Sequence, residues 1–257
     1  MGVYLITGAS SGIGAACAAK LSSDGHTVVL VARSAEKLQQ VAAALPGTTH
    51  VFPYDLEDVT QIKTIFDFCK GQGLKLDGMV YSAGVNADVP LKVCSPEVWE
   101  RVMRVNCLAF AEMGKHFYSK RYSHDFSRMV AISSSASISC DKGMGPYSAS
   151  KAALNAVVKT MAKEFIKRGI LVNAILPAGV LTPMAAEKIQ TLTGTAMDVS
   201  ATITQLEQGP PVIAEQEAQP CGIILPSHIA RIAAYLVSAE NRYVTGALIP
   251  VSGGLTF

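Results

Sequence analysis

An apolar run that leads directly into a glycine-rich turn most constrains the fold of this chain. Residues 3–6 are apolar, residues 7–14 read TGASSGIG, and an alanine-rich, helix-forming stretch follows. Gly8, Gly12 and Gly14 are spaced GxxxGxG, which differs from the GxGxxG fingerprint. Glycines let the backbone turn tightly, and the helix N-terminus offers free N–H groups to a pyrophosphate. A strand, a glycine-rich turn and a helix in this order predict a dinucleotide-binding unit.

Apolar segments alternate with helical patterns along the whole chain. The further predicted strands span residues 27–32, 50–54, 76–80, 129–132, 170–176 and 247–251, with helices between them. Strands that alternate with helices form a parallel sheet that is covered on both faces. We therefore predict an α/β fold, a single Rossmann-type doubly wound domain over residues 1–257, with a parallel sheet of about seven strands.

Two helices have recognisable start signals. Asp58 is predicted to cap a helix over about 59–70. Ser95, which is followed by Pro96, is predicted to cap a long helix that reaches residue 122. The long helix has more apolar side chains than one sheet face needs to cover it. A partner subunit is therefore expected on this helix, in a homodimer or homotetramer.

The composition argues against several classes of function. Hydrophobic residues make up 49% of the chain, and its net charge is +2 without a run of five like charges, so nucleic-acid binding is not expected. No apolar stretch approaches the roughly 20 residues of a membrane span, and no signal-type segment opens the sequence. Six scattered cysteines without a Cys-x-x-Cys pair argue against a metal site and favour a reducing cytoplasm.

One arginine indicates the type of dinucleotide. A site for NAD places a carboxylate about 20 residues after the glycines, where it holds the ribose hydroxyls. Arg33 stands at this distance from Gly14, between Ala32 and Ser34, and no carboxylate is available there. A guanidinium suits the 2′-phosphate of NADP(H) through paired, charge-assisted hydrogen bonds. The alternative is that Arg33 is a solvated residue at the end of a strand.

Tyr147 and Lys151 form a candidate proton-transfer pair. They are four residues apart on a helix that is predicted to follow Pro146 and to stop at Gly169, so both project from one face. A free tyrosine has a pKa of about 10, and a neighbouring cation lowers it by favouring the phenolate. The alternative is an exposed tyrosine and a solvated lysine on an ordinary helix.

Residues 185–226 lack a sustained period and are rich in Thr, Gln, Glu and Ala. A stretch of this length inside a compact domain is usually a binding loop or lid, here with helical pieces. We predict that it closes over the substrate.

Together these features resemble the short-chain dehydrogenase/reductase superfamily over nearly the whole chain. TGASSGIG fits its TGxxxGxG signature, and Tyr147 with Lys151 fits its YxxxK signature. Ser134 lies thirteen residues before Tyr147, where the family's catalytic serine falls, and Asn106 matches the asparagine of a central helix. The resemblance implies contacts to the cofactor from Gly8, Ser10, Ser11, Gly12, Ile13, Gly14, Arg33, Ser34, Asp55, Leu56, Ser82, Ala83, Gly84, Tyr147, Lys151, Pro177, Gly179, Val180 and Thr182.

The chain departs from the family pattern at two places. The NNAG motif after the fourth strand is Tyr81-Ser82-Ala83-Gly84 here, so both asparagines are missing. Ala178 replaces the glycine after Pro177, and Gly179 follows one place later. The side-chain support and the backbone contacts to the nicotinamide are therefore altered.

The resemblance implies hydride transfer between NADP(H) and a carbonyl or alcohol carbon. Ser134 would bind the substrate oxygen, Tyr147 would donate the proton, Lys151 would stabilise the tyrosinate, and Asn106 would hold a water. Small, neutral residues at the expected pocket favour a neutral ketone or alcohol. The alternatives are a 3-oxoacyl-carrier reductase of the same family and, from a different class, a non-catalytic NADPH-binding regulator.

Overall fold

The computed structural model describes residues 1–193, 198–208 and 221–254. Within these ranges seven strands form one parallel sheet in the order β3-β2-β1-β4-β5-β6-β7. The strands are β1 (Val3–Thr7), β2 (Thr27–Ala32), β3 (Thr49–Pro53), β4 (Leu76–Tyr81), β5 (Ser123–Ile132), β6 (Leu171–Pro177) and β7 (Leu248–Val251). This architecture confirms the predicted Rossmann-type parallel sheet.

Ten α-helices are present in the described ranges. They are α1 (Gly12–Ser23), α2 (Ala35–Ala43), α3 (Lys63–Gly71), α4 (Pro96–Met103), α5 (Ala109–Phe117), α6 (Ala136–Ser139), α7 (Gly145–Phe165), α8 (Pro183–Thr193), α9 (Val199–Gln208) and α10 (Pro226–Val237). None of the helices in these ranges is long and apolar enough to cross a membrane.

Helices cover both faces of the sheet. On one face, α3, α5 and α7 contribute Phe66, Phe110 and Leu154, all of which are fully buried in one apolar cluster. On the other face, α1 and α10 contribute Leu21 and Ile229 to a second cluster. Strands buried on both faces read as continuous apolar runs, which explains why TVVLVA in β2 shows no alternation.

The helix predicted from Asp58 begins later than expected. α3 starts at Lys63, and the Asp58 carboxylate instead accepts hydrogen bonds from the backbone N–H and the hydroxyl of Thr60, at 2.9 and 2.6 Å. Asp58 therefore stabilises a turn before the helix. The prediction that Asp58 caps this helix is wrong, because its carboxylate binds Thr60 in the preceding turn and the N-cap position is Ile62.

The long helix predicted from Ser95 to residue 122 is not uniform. A π-helical turn at Arg104–Leu108 separates α4 from α5, and the side chain of Ser95 makes no capping hydrogen bond. Its apolar side chains are mostly covered by the chain itself, since Val102, Phe110 and Phe117 are buried. The excess of apolar surface expected from the sequence is therefore smaller than predicted.

The segment predicted as a lid contains most of α8 and the whole of α9. Its remaining parts, at 194–197 and 209–220, lie outside the described residues. The end of the segment is tied to the chain that leads into it, because Ile224 forms an isolated parallel bridge with Val180.

The strand order reverses between β1 and β4, since β1 pairs with β2 on one side and with β4 on the other. In open α/β sheets, ligands bind at the carboxyl ends of the strands beside such a reversal. The sites predicted from the sequence all follow the carboxyl ends of strands in this sheet or lie on helices packed against it.

Candidate active site

The glycine-rich turn is packed directly against the end of β4. Gly8 has φ +64°, and a Cβ there would lie 2.8 Å from the carbonyl oxygen of Ser82 and 2.9 Å from the nitrogen of Ala83. The buried hydroxyl of Thr7 accepts hydrogen bonds from the N–H groups of both residues, each at 3.1 Å. Thr7 is a positioning residue that the sequence analysis did not single out, although it is the threonine of the TGxxxGxG signature.

The backbone of the same turn, residues 8–14, forms a cradle at the N-terminus of α1. A Cβ on Gly14 would overlap the carbonyl oxygen of Gly8, so only glycine permits this close approach. The N-cap residue Ser11 makes no side-chain capping hydrogen bond, and the first turn of α1 has no acidic residue. Free N–H groups without a competing carboxylate fit a pyrophosphate.

A second anion-binding feature lies at the ends of β2 and β3. Arg33 is exposed directly after β2, and Ser34 caps α2 by accepting a hydrogen bond from the N–H of Lys37 at 3.2 Å. Asp55 is exposed after β3, where its carboxylate accepts from the N–H of Glu57 at 3.0 Å. Leu56 beside it is buried. A guanidinium next to a helix N-terminus favours a phosphate group.

Asn106 is fully buried within the π-helical turn, and its side chain clamps the loop after β4. Its Oδ1 accepts from the N–H of Val85 at 2.8 Å, and its Nδ2 donates to the Val85 carbonyl at 3.0 Å. The same Nδ2 donates to Ser150 Oγ at 2.9 Å, and this hydroxyl donates to the Tyr147 carbonyl at 2.7 Å. The side-chain amide therefore connects three elements and uses both of its N–H hydrogens to do so.

Lys151 is buried beside this clamp. Its Nζ donates to the Ile132 carbonyl at 2.7 Å, and a Cβ on Gly84 would lie 3.4 Å from Nζ and 3.3 Å from Asn106 Oδ1. Gly84, Asn106 and Lys151 therefore meet at one point. Burial lowers the pKa of Lys151 from 10.5 to about 8, and the nearby Cys107 thiol opposes this shift.

Tyr147 is half-buried, and its side chain forms a hydrogen bond with that of Ser134. Burial raises the pKa of the Tyr147 phenol, the bond to Ser134 lowers it, and the Asp88 carboxylate raises it. In the chain alone, burial outweighs any lowering of this pKa by Lys151. The ammonium lies 5.7 Å from the ring centroid and is hydrogen-bonded to the Ile132 carbonyl, so desolvation is the larger effect.

The structure distinguishes Ser134 from its neighbour. The Ser133 hydroxyl is buried and donates to the Lys151 carbonyl at 3.3 Å, whereas Ser134 Oγ accepts from the Ala136 N–H at 3.1 Å and contacts Tyr147. Alternation along the end of β5 accounts for this difference. Ser134 is therefore the serine that can bind the same oxygen atom as Tyr147.

The segment after β6 lies close to the glycine-rich turn. A Cβ on Gly12 would lie 3.3 Å from Thr182 Cγ2, and Thr182 Oγ1 accepts from the Ala185 N–H at 3.2 Å. The Gly179 carbonyl accepts from the Ile224 N–H at 3.1 Å, and the N–H of Ala178 is bound by the Val251 carbonyl at 3.0 Å. Residues 177–182 thus lie between the end of β7 and the glycine-rich turn.

Several residues that organise the site gave no sequence signal. Val85 and Ser150 meet Asn106 across 21 and 44 residues, respectively. Asp88 acts on Tyr147 from the loop after β4, and Asn86 donates to its carboxylate at 3.1 Å. In the described part of the chain, no group of three His, Cys, Asp or Glu residues could hold a metal ion.

Comparison with known proteins agrees with this geometry. The model of the short chain dehydrogenase family matches residues 2–193. The chain is 30% identical to the 3-oxoacyl-[acyl-carrier-protein] reductase FabG of Thermotoga maritima, covering 98% of this chain and 97% of that protein. It is also 30% identical to cis-4-hydroxycyclohexanecarboxylate dehydrogenase of Sinomonas cyclohexanicum, with 99% and 96% covered.

A solved structure shares the fold. A variant of actinorhodin polyketide ketoreductase with NADPH superimposes with a TM-score of 0.81 at 26% identity, covering 99% of this chain and 97% of that one. The family match spans the glycine-rich turn, Ser134, Tyr147 and Lys151. The chain therefore belongs to the short-chain dehydrogenase family of oxidoreductases.

Proposed function

We propose that this protein is an NADP(H)-dependent reductase that converts the carbonyl of a small, neutral ketone into a secondary alcohol. The observation that carries the proposal is the convergence of Ser134, Tyr147 and Lys151, with Asn106, beside the glycine-rich cradle. A non-catalytic NADPH-binding regulator has no need for this arrangement of four side chains.

Each of the four side chains has a separate role in the proposed reaction. Ser134 and Tyr147 bind the substrate oxygen, and Tyr147 gives it a proton as negative charge develops there. Its raised pKa keeps the phenol protonated at neutral pH, so it is ready to act as an acid. Lys151 stabilises the tyrosinate that remains, and Asn106 holds the loop on which Gly84 and Val85 lie. A bound NADPH supplies the hydride.

The surroundings of Arg33 support a preference for NADP(H). Arg33 and Lys37 are both exposed near the N-terminus of α2, where Glu36 is the acidic residue of the first turn, and the position directly after β2 holds Arg33 in place of a carboxylate. A similar fold in the actinorhodin ketoreductase was solved with NADPH. A cationic site at this position attracts a 2′-phosphate and gains little from the hydroxyl of NAD.

The relatives indicate two candidate substrate classes. The relative from Sinomonas cyclohexanicum is named for a cyclic hydroxy acid, which supports a cyclic carbon frame in the alcohol or ketone, whereas the neutral charge rests on the small residues expected at the pocket. The FabG of Thermotoga maritima is named for a 3-oxoacyl carrier substrate, and this similarity makes a carrier-bound acyl chain the second candidate. The two are separated by comparing turnover of cyclohexanone derivatives with that of a 3-oxoacyl thioester.

An assembly of two or four copies is proposed from a groove between α5 and α7. The groove has a volume of about 810 Å³, and Ala111, Ala156, Val157 and Met161 contribute to its lining. Ala156 and Thr160 are exposed there on α7. A groove along two helices that is mainly apolar, with charged side chains of both signs in its lining, suits the same groove of a second copy in an isologous contact.

The 185–226 segment is proposed as the lid over the substrate. The bridge between Val180 and Ile224 ties the end of the segment to the residues that precede it, and the Ser227 hydroxyl donates to Glu207 at 2.9 Å. Closure over a bound ligand would exclude water from the reacting oxygen.

The decisive experiment measures the ratio of kcat/KM for NADPH and NADH on a panel of ketones. The wild type is expected to prefer NADPH at least ~10-fold. Charge-assisted hydrogen bonds to the 2′-phosphate contribute roughly 1.5–3 kcal/mol each, and exposure to water and salt brings the total toward the low end of that range. The double variant Ala32→Asp with Arg33→Ser should reverse the preference. Absence of ketone reduction with either cofactor would contradict the proposed activity, and a wild-type preference for NADH would contradict the role of Arg33.

A further inference from the structure

Tyr81 stands where the family motif has its first asparagine, and its side chain enters the core. It is fully buried at the end of β4, with its ring centroid 5.3 Å from that of Phe110. Its hydroxyl donates a hydrogen bond to the carbonyl of Val105. Burial raises the pKa of Tyr81, which keeps this phenol a neutral donor.

The carbonyl that Tyr81 binds is released by the π-helical turn. The N–H of Ala109 donates to the carbonyl of Arg104, five residues earlier. In a regular α-helix the same N–H would donate to Val105, four residues earlier. The longer turn thus deprives Val105 of this donor, and the Tyr81 hydroxyl takes its place. A π-turn inside an α-helix is rare and often marks a functional site.

The residue next to Val105 is Asn106, whose side chain clamps both backbone groups of Val85. The same turn sets the direction of this side chain toward Lys151 and Gly84. If the Ala109 N–H moved to the Val105 carbonyl, the register of the helix would change at Asn106, and its amide would leave Val85. The hydrogen bond from Tyr81 opposes that change, because it satisfies the buried Val105 carbonyl without the Ala109 N–H and so removes the driving force for the shift.

We infer that Tyr81 is a positioning residue that holds the π-helical turn in register and thereby aims Asn106 at Val85 and Lys151. The mechanistic part of this inference rests on the proposed reductase activity. The structural part does not, because the clamp on Val85 exists in the protein without any ligand.

The test removes only the phenolic oxygen, with Tyr81→Phe, and uses Tyr122→Phe as a matched control. Tyr122 belongs to the same apolar cluster, is also buried, and its hydroxyl donates to Asp67 of α3 at 2.7 Å and not to the π-helical turn. Hydrogen exchange at the Val85 amide reports the Asn106 clamp directly. Exchange at the Val80 amide, within β4, reports the stability of the sheet.

In Tyr81→Phe, exchange at Val85 is expected to be at least ~10-fold faster relative to Val80 than in the wild type, because a buried carbonyl without a donor is unfavourable and the turn relaxes. The value of kcat should fall ~10-fold, by a larger factor than KM for NADPH rises, since misplacement of the reacting groups lowers the rate more than it weakens binding. In Tyr122→Phe, Val85 exchange relative to Val80 and the value of kcat should both stay within about twofold of the wild type.

Replacing Tyr81 by 4-aminophenylalanine restores a donor at the same position and should recover both Val85 protection and kcat. Equal Val85 exchange in Tyr81→Phe and Tyr122→Phe would overturn the inference, and so would lost protection that the amino variant does not recover. A wild type without reductase activity would contradict the proposed function alone, because the exchange data would still decide the role of Tyr81.

Discussion

Replacing Gly8 by alanine should weaken both the fold and the cofactor site through one steric mechanism. Gly8 has φ +64°, and an added Cβ would lie 2.8 Å from the Ser82 carbonyl oxygen and 2.9 Å from the Ala83 nitrogen. These atoms are backbone at the end of β4, and the Thr7 hydroxyl holds their N–H groups. They cannot move aside without separating β1 from β4.

Two costs add in Gly8→Ala. A non-glycine residue in the left-handed region costs roughly 1–2 kcal/mol. Overpacking against well-ordered atoms typically costs a further ~1–3 kcal/mol. The free energy of unfolding should therefore fall by about 2–5 kcal/mol, a large part of the ~5–15 kcal/mol of a typical domain.

Gly25→Ala is the matched control, because Gly25 has φ +84° and no atom within 4 Å of an added Cβ. It shares the backbone strain but not the overlap, so it should cost only about 1–2 kcal/mol. Urea unfolding followed by circular dichroism gives the difference between the variants. NADPH titration should show weakened binding in Gly8→Ala and unchanged binding in Gly25→Ala.

The difference between the two variants is the informative quantity. If Gly8→Ala and Gly25→Ala lose the same stability within about 0.5 kcal/mol, the close approach of the turn to β4 is not what requires glycine. If Gly8→Ala binds NADPH as tightly as the wild type, the turn is not part of the cofactor site.

Three further outcomes are expected. Tyr147→Phe should keep NADPH affinity and lose at least ~100-fold in kcat, and residual activity above a tenth of wild type would mean that another group is the acid. Between about pH 8 and 10.5, the free energy of unfolding of the wild type should rise relative to that of Lys151→Met by on the order of 1 kcal/mol per pH unit. The reason is that the unfolded chain retains the lysine proton over that range and the folded protein does not. Parallel pH profiles of the two proteins in urea unfolding would contradict this. Light scattering should give at least twice the 27.1 kDa of one chain, and Ala156→Arg, in the groove between α5 and α7, should reduce that mass; a wild-type monomer would refute the proposed assembly.

The sequence by itself determined the class of fold, because the relevant information is local. Apolar runs such as TVVLVA and the alternation with helices specify a parallel sheet, and the turn from Gly8 to Gly14 needs glycine wherever it occurs. The spacing of Tyr147 and Lys151 also determines how the two side chains lie relative to each other, since a helix places residues four apart on one face. Resemblance to a family then indicated Ser134 and Asn106, which the spacing of Tyr147 and Lys151 does not identify.

Tertiary structure decided which groups the catalytic side chains contact. Asn106 reads as a polar residue in a helix, but a π-helical turn and contacts to Val85 and Ser150 give it its position. These contacts cross 21 and 44 residues, so no local pattern encodes them. The pKa values of Tyr147 and Lys151 likewise depend on burial by distant elements, and desolvation there exceeds the effect of the neighbouring charge that the sequence suggested.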